Sequence, residues 1–186
     1  MLYKELFVLL QPIKNYVKGT TVPFFVNSTQ YMIFKDTVIQ YINEFLADSD
    51  YYLVDINIST DNRISIEIDS FEGVSLDYCI GLSKFIESKF DREVEDFELE
   101  VSSAGLTEPF KVLKQYEKNI GNEVEVLSKN GIKQSGELVS ANEQFFTISI
   151  EKKVQPEGAK RKIIVNEEIS FNYSDIKYTK YIIRFK

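Results

Sequence analysis

FELEVSSAGLTEPFK, residues 97–111, carries the clearest structural message in this chain of 186 residues. Phe97, Leu99 and Val101 alternate with Glu98, Glu100 and Ser102, the period of a half-buried strand with one apolar and one polar face. Ser102, Ser103, Ala104 and Gly105 end it, because serine hydroxyls compete for backbone hydrogen bonds and glycine accepts angles that a Cβ forbids. Pro109 then disfavours helix at Glu108. An extended, polar strand exit of this kind reads as a junction between domains, with Gly105 expected at a positive φ.

Charge changes sign at this junction. Residues 32–110 hold 18 acidic against 5 basic side chains, a net of -13, whereas residues 111–186 hold 10 against 14, a net of +4. Residues 1–31 add 1 acid and 3 bases, and the whole chain carries -7. Such a division is expected of two domains with different partners, although an acidic surface also aids solubility by itself.

At 44% hydrophobic and 27% charged the composition is that of ordinary globular material, enough for one domain or two small ones. No apolar run approaches membrane-spanning length. The single cysteine, Cys79, excludes an internal disulfide and a multi-cysteine zinc site, which suits a reducing, cytoplasmic setting. The absence of histidine removes Ser-His and Cys-His nucleophile pairs, imidazole metal ligands and any side chain that ordinarily titrates near neutrality. No cofactor is expected.

The first 31 residues form the least coherent part. Pro12 interrupts the apolar run Leu6–Leu10, no small-residue cleavage site follows it, and Met32 stands directly before a helix pattern. Met32 is therefore read as the natural start, with residues 1–31 an extension; an appended helix is the competing account. From Lys35 to Ala47, the residues Val38, Ile39, Ile42, Phe45 and Leu46 fall on one helical face. Two strands follow, with Tyr52, Val54, Ile56 and Ile58, then Ile64, Ile66 and Ile68, as their apolar sets, joined by Thr60-Asp61-Asn62. Ser75 is placed to cap a second helix reaching about Phe90, with Leu76, Cys79, Ile80, Ser83, Ile86 and Phe90 as its inner stripe. Cys79 on that stripe reads as a small core residue rather than a reactive thiol. Strand 97–102 completes an α-β-β-α-β unit, in which two helices over a three-stranded sheet share one core.

Beyond Pro109 the pattern changes. Val112–Asn119 fits a short helix, and strand alternation recurs at 123–127, 136–141, 145–151, 162–165, 169–173 and 180–185. Asn130-Gly131, Asn142-Glu143 and Gln155-Pro156-Glu157-Gly158 supply turns. Five or six short strands in about seventy residues point to a small closed barrel, which leaves few free edges.

The strand and junction resemble the signature of the bacterial ribosome maturation factor RimP family, in which an LEVSS strand runs into Gly-Leu and then Pro. Leu99, Glu100, Val101, Ser102, Ser103, Gly105, Leu106 and Pro109 match, as do Val54-Asp55, Ile68-Asp69, the run from Gly73 to Cys79, and Ile176 with its flanks. The resemblance covers about Met32 to the C-terminus. It implies an α+β protein: an N-terminal α-β-β-α-β domain (KH-like, two-layer) at 32–110, followed by a small SH3-like (Sm-like) β-barrel at 111–186. It further implies a non-enzymatic factor that associates with the free small ribosomal subunit and assists its maturation; a monomer off the membrane is expected. The chain departs from the family pattern at Ala104, where many members have Pro, and at Thr107-Glu108, where they have Asp-Arg, so no RNA contact is transferred to Glu108.

Physical chemistry narrows how such a factor works. Uncompensated carboxylates repel a phosphate backbone, so the acidic half is matched to basic ribosomal proteins, and it lacks the GXXG clamp of KH domains. Lys152, Lys153, Lys160, Arg161 and Lys162 flank the Pro-Gly loop as five bases on one hairpin tip, either a small-subunit rRNA contact or a solvated turn. Two rivals remain. An enzyme would rest on a carboxylate pair such as Asp55 with Asp69. An Sm-like or SH3-like adaptor for peptide or single-stranded RNA would need an exposed platform from Phe145, Phe146, Tyr173, Tyr178 and Tyr181.

Overall fold

A computed structural model of the chain describes residues 33–94, 96–155 and 163–183. The extension at 1–31 and Met32 lie outside these residues. Helix α1 (Lys35–Leu46) buries Val38, Ile42 and Leu46, a four-residue recurrence that keeps one stripe against the sheet. Strands β1 (Tyr51–Ile58) and β2 (Arg63–Ser70) pair antiparallel, and Asn62, at φ 56, closes their hairpin in a conformation asparagine tolerates. Helix α2 (Leu76–Glu87) then carries the chain to β3 (Glu98–Ser103), which pairs parallel to β2; a parallel partner requires such a crossover. The order is β1-β2-β3. Ile64, Ile66 and Ile68 of the central strand are fully buried with Phe97, Cys79 and the helix residues in one cluster, and burial pushes the Cys79 thiol up. That is the environment of a core residue.

Two details differ from simple periodicity. The β1–β2 register shifts between Leu53 and Asp55, so Leu53 faces Ile68 while Asp55 faces Glu67. This bulge reverses the facing of β1 at Val54. Tyr51 and Leu53 pack on the core, and Tyr52, expected on the face of Ile56, instead lies across from Asp69. On α2, Ser75 accepts a hydrogen bond from the Tyr78 amide as a cap should, but the buried residues are Cys79, Leu82 and Ile86. Leu76 is 75% exposed, Ile80 is exposed too, and the helix stops before Phe90. The rotation that is realised brings Tyr78 and Phe85 against Phe45 of α1 and stacks Tyr78 on Tyr51.

The second half starts with α3 (Leu113–Lys118) and continues through β4 (Glu123–Ser128), β5 (Lys133–Ala141), β6 (Phe145–Val154), β7 (Ile163–Asn172), a 3-10 turn (Tyr173–Asp175) and β8 (Ile176–Tyr181). These five strands form an antiparallel sheet of order β7-β6-β5-β4-β8. The segments 162–165 and 169–173 are one strand, because continuous pairing with β6 carries the backbone through Asn166, Glu167 and Glu168. The last strand starts at Ile176 rather than Lys180; a register shift beside Ser128 conceals its alternation. Tyr116, Val124, Val126, Leu138, Phe146, Ile148 and Ile176 make a second core that shares no residue with the first. Among the described residues the protein is thus mixed α+β, with two sheets and three α-helices, none of them long and apolar enough to cross a membrane.

Gly105 does not take a positive φ. A Cβ there would sit 2.9 Å from the exposed Glu108 Cγ, which can move, so the strain expected at this position does not arise. Gly136 is the position that tolerates no side chain, since a Cβ would lie 2.4 Å from the Ser149 carbonyl oxygen on the neighbouring strand. Gly136→Ala should therefore push β5 from β6 and destabilise the protein by about 1–3 kcal/mol. Urea unfolding of the two proteins side by side checks this, and an unchanged midpoint would contradict it.

Candidate functional site

The residues of β3 and the junction after it divide between packing and display. Leu99 and Val101 pack on the first core, Ser102 is half-buried, and Glu100 and Ser103 are exposed. The Ala104 amide donates to the Ile68 carbonyl at 2.9 Å, extending the parallel ladder by one residue. Gly105 and Pro109 are exposed, and Leu106 is 68% exposed. The chain is captured again at Phe110, whose amide donates to the Thr179 carbonyl at 2.8 Å and whose ring meets Tyr116 edge-on. Few residues separate the last bond to the first sheet from the first bond to the second.

Immediately beyond, lysines reach back. Lys111 Nζ lies 2.7 Å from Asp55 Oδ2 and 2.8 Å from Glu67 Oε2. Lys118 Nζ lies 2.8 Å from Asp69 Oδ1, and the Lys114 ammonium sits 5.2 Å from the centre of the Tyr52 ring. Asp69 also accepts from the Tyr52 hydroxyl at 3.1 Å and the Ser70 amide at 2.8 Å. The bulge in β1 makes this possible, because it puts Tyr52 and Asp55 on the sheet face that carries Glu67 and Asp69. On the other side, the Gln115 side chain accepts from the amides of Lys111 and Val112 and fixes the start of α3. The Lys111 hydrogen bond holds the Asp55 carboxyl below its ordinary value, and the two carboxylates raise Lys111. Burial, reinforced by the Asp69 charge, pushes the Tyr52 hydroxyl well up. Asp55 and Asp69 are therefore each engaged by a lysine, not poised as an acid–base pair.

On the hairpin, Lys152 is exposed and pairs with Glu167 of β7. The side chain of Lys153, and Lys160, Arg161 and Lys162, lie outside the described residues. Of the aromatic platform, Phe146 is fully buried, Phe145 is exposed and Tyr181 is half-buried. Tyr173 and Tyr178 are pinned by their hydroxyls, which donate to the Asn142 carbonyl and to Glu125 Oε1, both at 2.8 Å. Burial pushes the Tyr173 hydroxyl up to about 12. With Phe110, Lys111, Tyr116 and Lys177 these two rings line a shallow groove of about 260 Å³. Sequence reading passed over Lys111, Lys114 and Lys118, whose three- and four-residue spacing directly after the acidic half was the available signal.

The Asp55 and Lys111 shifts set a pH window. A lowered carboxyl value stabilises the fold fully above the ordinary 3.8 and loses that effect as the pH falls through the lowered value; a raised ammonium value acts below the ordinary 10.5 and is lost as the pH climbs through the raised one. Lys111→Gln should thus cost stability across the neutral range, by about 1 kcal/mol at most for a pair this exposed. The deficit should vanish in strong acid. Lys118→Ala should cost more, about 1–3 kcal/mol, because it leaves the mostly buried Asp69 without its cation. Chemical unfolding at pH 7 and pH 2.5 checks both, and equal losses from the two variants would contradict the ranking.

A family model described as the RimP N-terminal domain matches residues 41–107, from within α1 to the junction. A ribosome maturation factor RimP of Porphyromonas gingivalis is 40% identical over 152 residues, which is 82% of this chain and 100% of that protein. The RimP of Christiangramia forsetii is 38% identical over 141 residues, 76% of this chain and 92% of its own length. That of Flavobacterium psychrophilum is 35% identical over 144 residues, 75% and 92%. Identity at this level, sustained across nearly the whole of each relative, shows that the chain belongs to the ribosome maturation factor RimP family.

Proposed function

We propose that the protein is a ribosome maturation factor, which binds the free small ribosomal subunit in the cytoplasm and assists its assembly as a monomer without catalysis. The observation that carries this reading is the 40% identity to a ribosome maturation factor over that protein's full length. The engagement of Asp55 and Asp69 by lysines, in a chain without histidine, is consistent with a binding role.

Two domains, 32–110 and 111–186, fit the separate cores. Strand order supports an SH3-like barrel for the second. β7 and β8 form opposite edges of the sheet, yet Tyr173–Asp175 alone joins them. Flat strands about 4.8 Å apart would separate those edges by roughly 19 Å. Four residues fully extended reach only about 14 Å, and a 3-10 turn far less, which supports a sheet rolled toward closure over a flat one. The acidic first domain suits basic ribosomal proteins, and Lys152, Lys153, Lys160, Arg161 and Lys162 suit small-subunit rRNA. The pinned rings of Tyr173 and Tyr178 keep the Sm-like or SH3-like adaptor as the second reading.

The purified protein should co-sediment with free small subunits. Replacing the five hairpin bases with Gln should weaken binding to them and flatten its salt dependence, by up to about 4 in the slope of log affinity against log salt, while leaving the fold intact. Parent affinity and slope in that variant would remove the hairpin from the contact; parent protein that ignores small subunits would overturn the function.

A further inference from the structure

Lys111, Lys114 and Lys118 are the cations of the second half that the first sheet draws onto itself. Their partners are Asp55 and Glu67, Asp69, and the Tyr52 ring. Among the described residues no hydrophobic cluster spans this seam, so what closes it there is charge and hydrogen bonding, which salt and competing ions weaken. An RNA phosphate offers an ammonium group the same kind of acceptor oxygens as a carboxylate, in a continuous row. Lys114 is exposed and has no ion pair among the described residues, so it is open to a first phosphate. Lys111 also lines the groove that holds Lys177 and the rings of Tyr173 and Tyr178, so a strand entering that groove meets the seam at its edge.

We propose that the row Lys111, Lys114 and Lys118 is an RNA-phosphate contact surface that Asp55, Glu67 and Asp69 hold closed, carboxylate and phosphate competing for the same ammonium groups. The proposal rests on the reading that the protein meets small-subunit RNA. It differs from the hairpin contact in that Lys111 and Lys118 are already paired with carboxylates, which RNA must displace. The acidic face therefore acts as a built-in competitor: weak polyanions leave the seam shut, and only a dense phosphate array opens it.

The test is binding of a fluorescein-labelled transcript of the small-subunit rRNA to the full chain, followed by anisotropy at fixed salt. Asp55→Asn/Glu67→Gln/Asp69→Asn should bind about 5- to 10-fold more tightly than the parent, because the internal competitor is gone. A control with the same charge change away from the seam, Asp48→Asn/Asp50→Asn/Glu93→Gln, should gain no more than about 2-fold. Lys111→Gln/Lys114→Gln/Lys118→Gln should bind more weakly than the parent. Should the triple carboxylate variant fail to fold, Glu67→Gln alone, at a partly exposed site, should still gain about 2-fold while the single control Glu93→Gln does not. A seam variant no tighter than its control, or a lysine variant that binds like the parent, overturns the proposal. Co-sedimentation of the parent with small subunits, run alongside, separates that result from a failure of the assigned function.

Discussion

Asp69 is the residue on which the arrangement of the two halves depends. It accepts from the Tyr52 hydroxyl, the Ser70 amide and the Lys118 ammonium, and its side chain is only 12% exposed. A carboxylate so little hydrated is stable only when such donors replace the lost water. Each donor carries a structural condition with it. The tyrosine must be on the outer face, which the bulge in β1 ensures; the amide belongs to the last residue of β2; and the lysine must arrive on α3, whose start Gln115 holds. Removing any one of these leaves the others to support a charge they cannot satisfy.

The sign change in charge along the chain gains a second meaning from this seam. Read as sequence, -13 beside +4 suggests two domains addressed to two external partners. In the folded chain some of those charges answer one another: Asp55, Glu67 and Asp69 meet Lys111 and Lys118. Among the described residues the halves are complementary without sharing a core, and complementary charge gives register and orientation more readily than it gives binding energy.

What the sequence disclosed was whatever repeats locally. Ile64, Ile66 and Ile68 at period two, the stripe of Val38, Ile42 and Leu46, and the Ser75 cap all follow from residues a few positions apart, and so does the α-β-β-α-β order. The resemblance to the family could be read because the residues that suggested it, Leu99 to Pro109, are contiguous. The failures share an opposite cause. One inserted residue at Val54 reverses the facing of Tyr52, yet Tyr-Leu-Val-Asp reads equally well as regular strand. The rotation of α2 is set by Phe45 and Tyr51, far earlier in the chain. Lys111 finds Asp55 across 56 positions, a pairing that no window along the sequence contains. At the hairpin, only Lys152 among the five bases has a described side chain, and its nearest charged partner is a glutamate on the adjoining strand.

Among the described residues β3 lies at the edge of its sheet, which bears on how the protein behaves in a crowded cell. An edge strand exposes a row of unpaired amides and carbonyls, an invitation to any other chain able to extend the ladder. β3 is only six residues long and carries Glu98 and Glu100, both exposed, within the most acidic part of the molecule. A second copy approaching edge to edge would bring like charges together before its backbone could bond. The strand is thus guarded against aggregation by the same alternation that marks it as a strand.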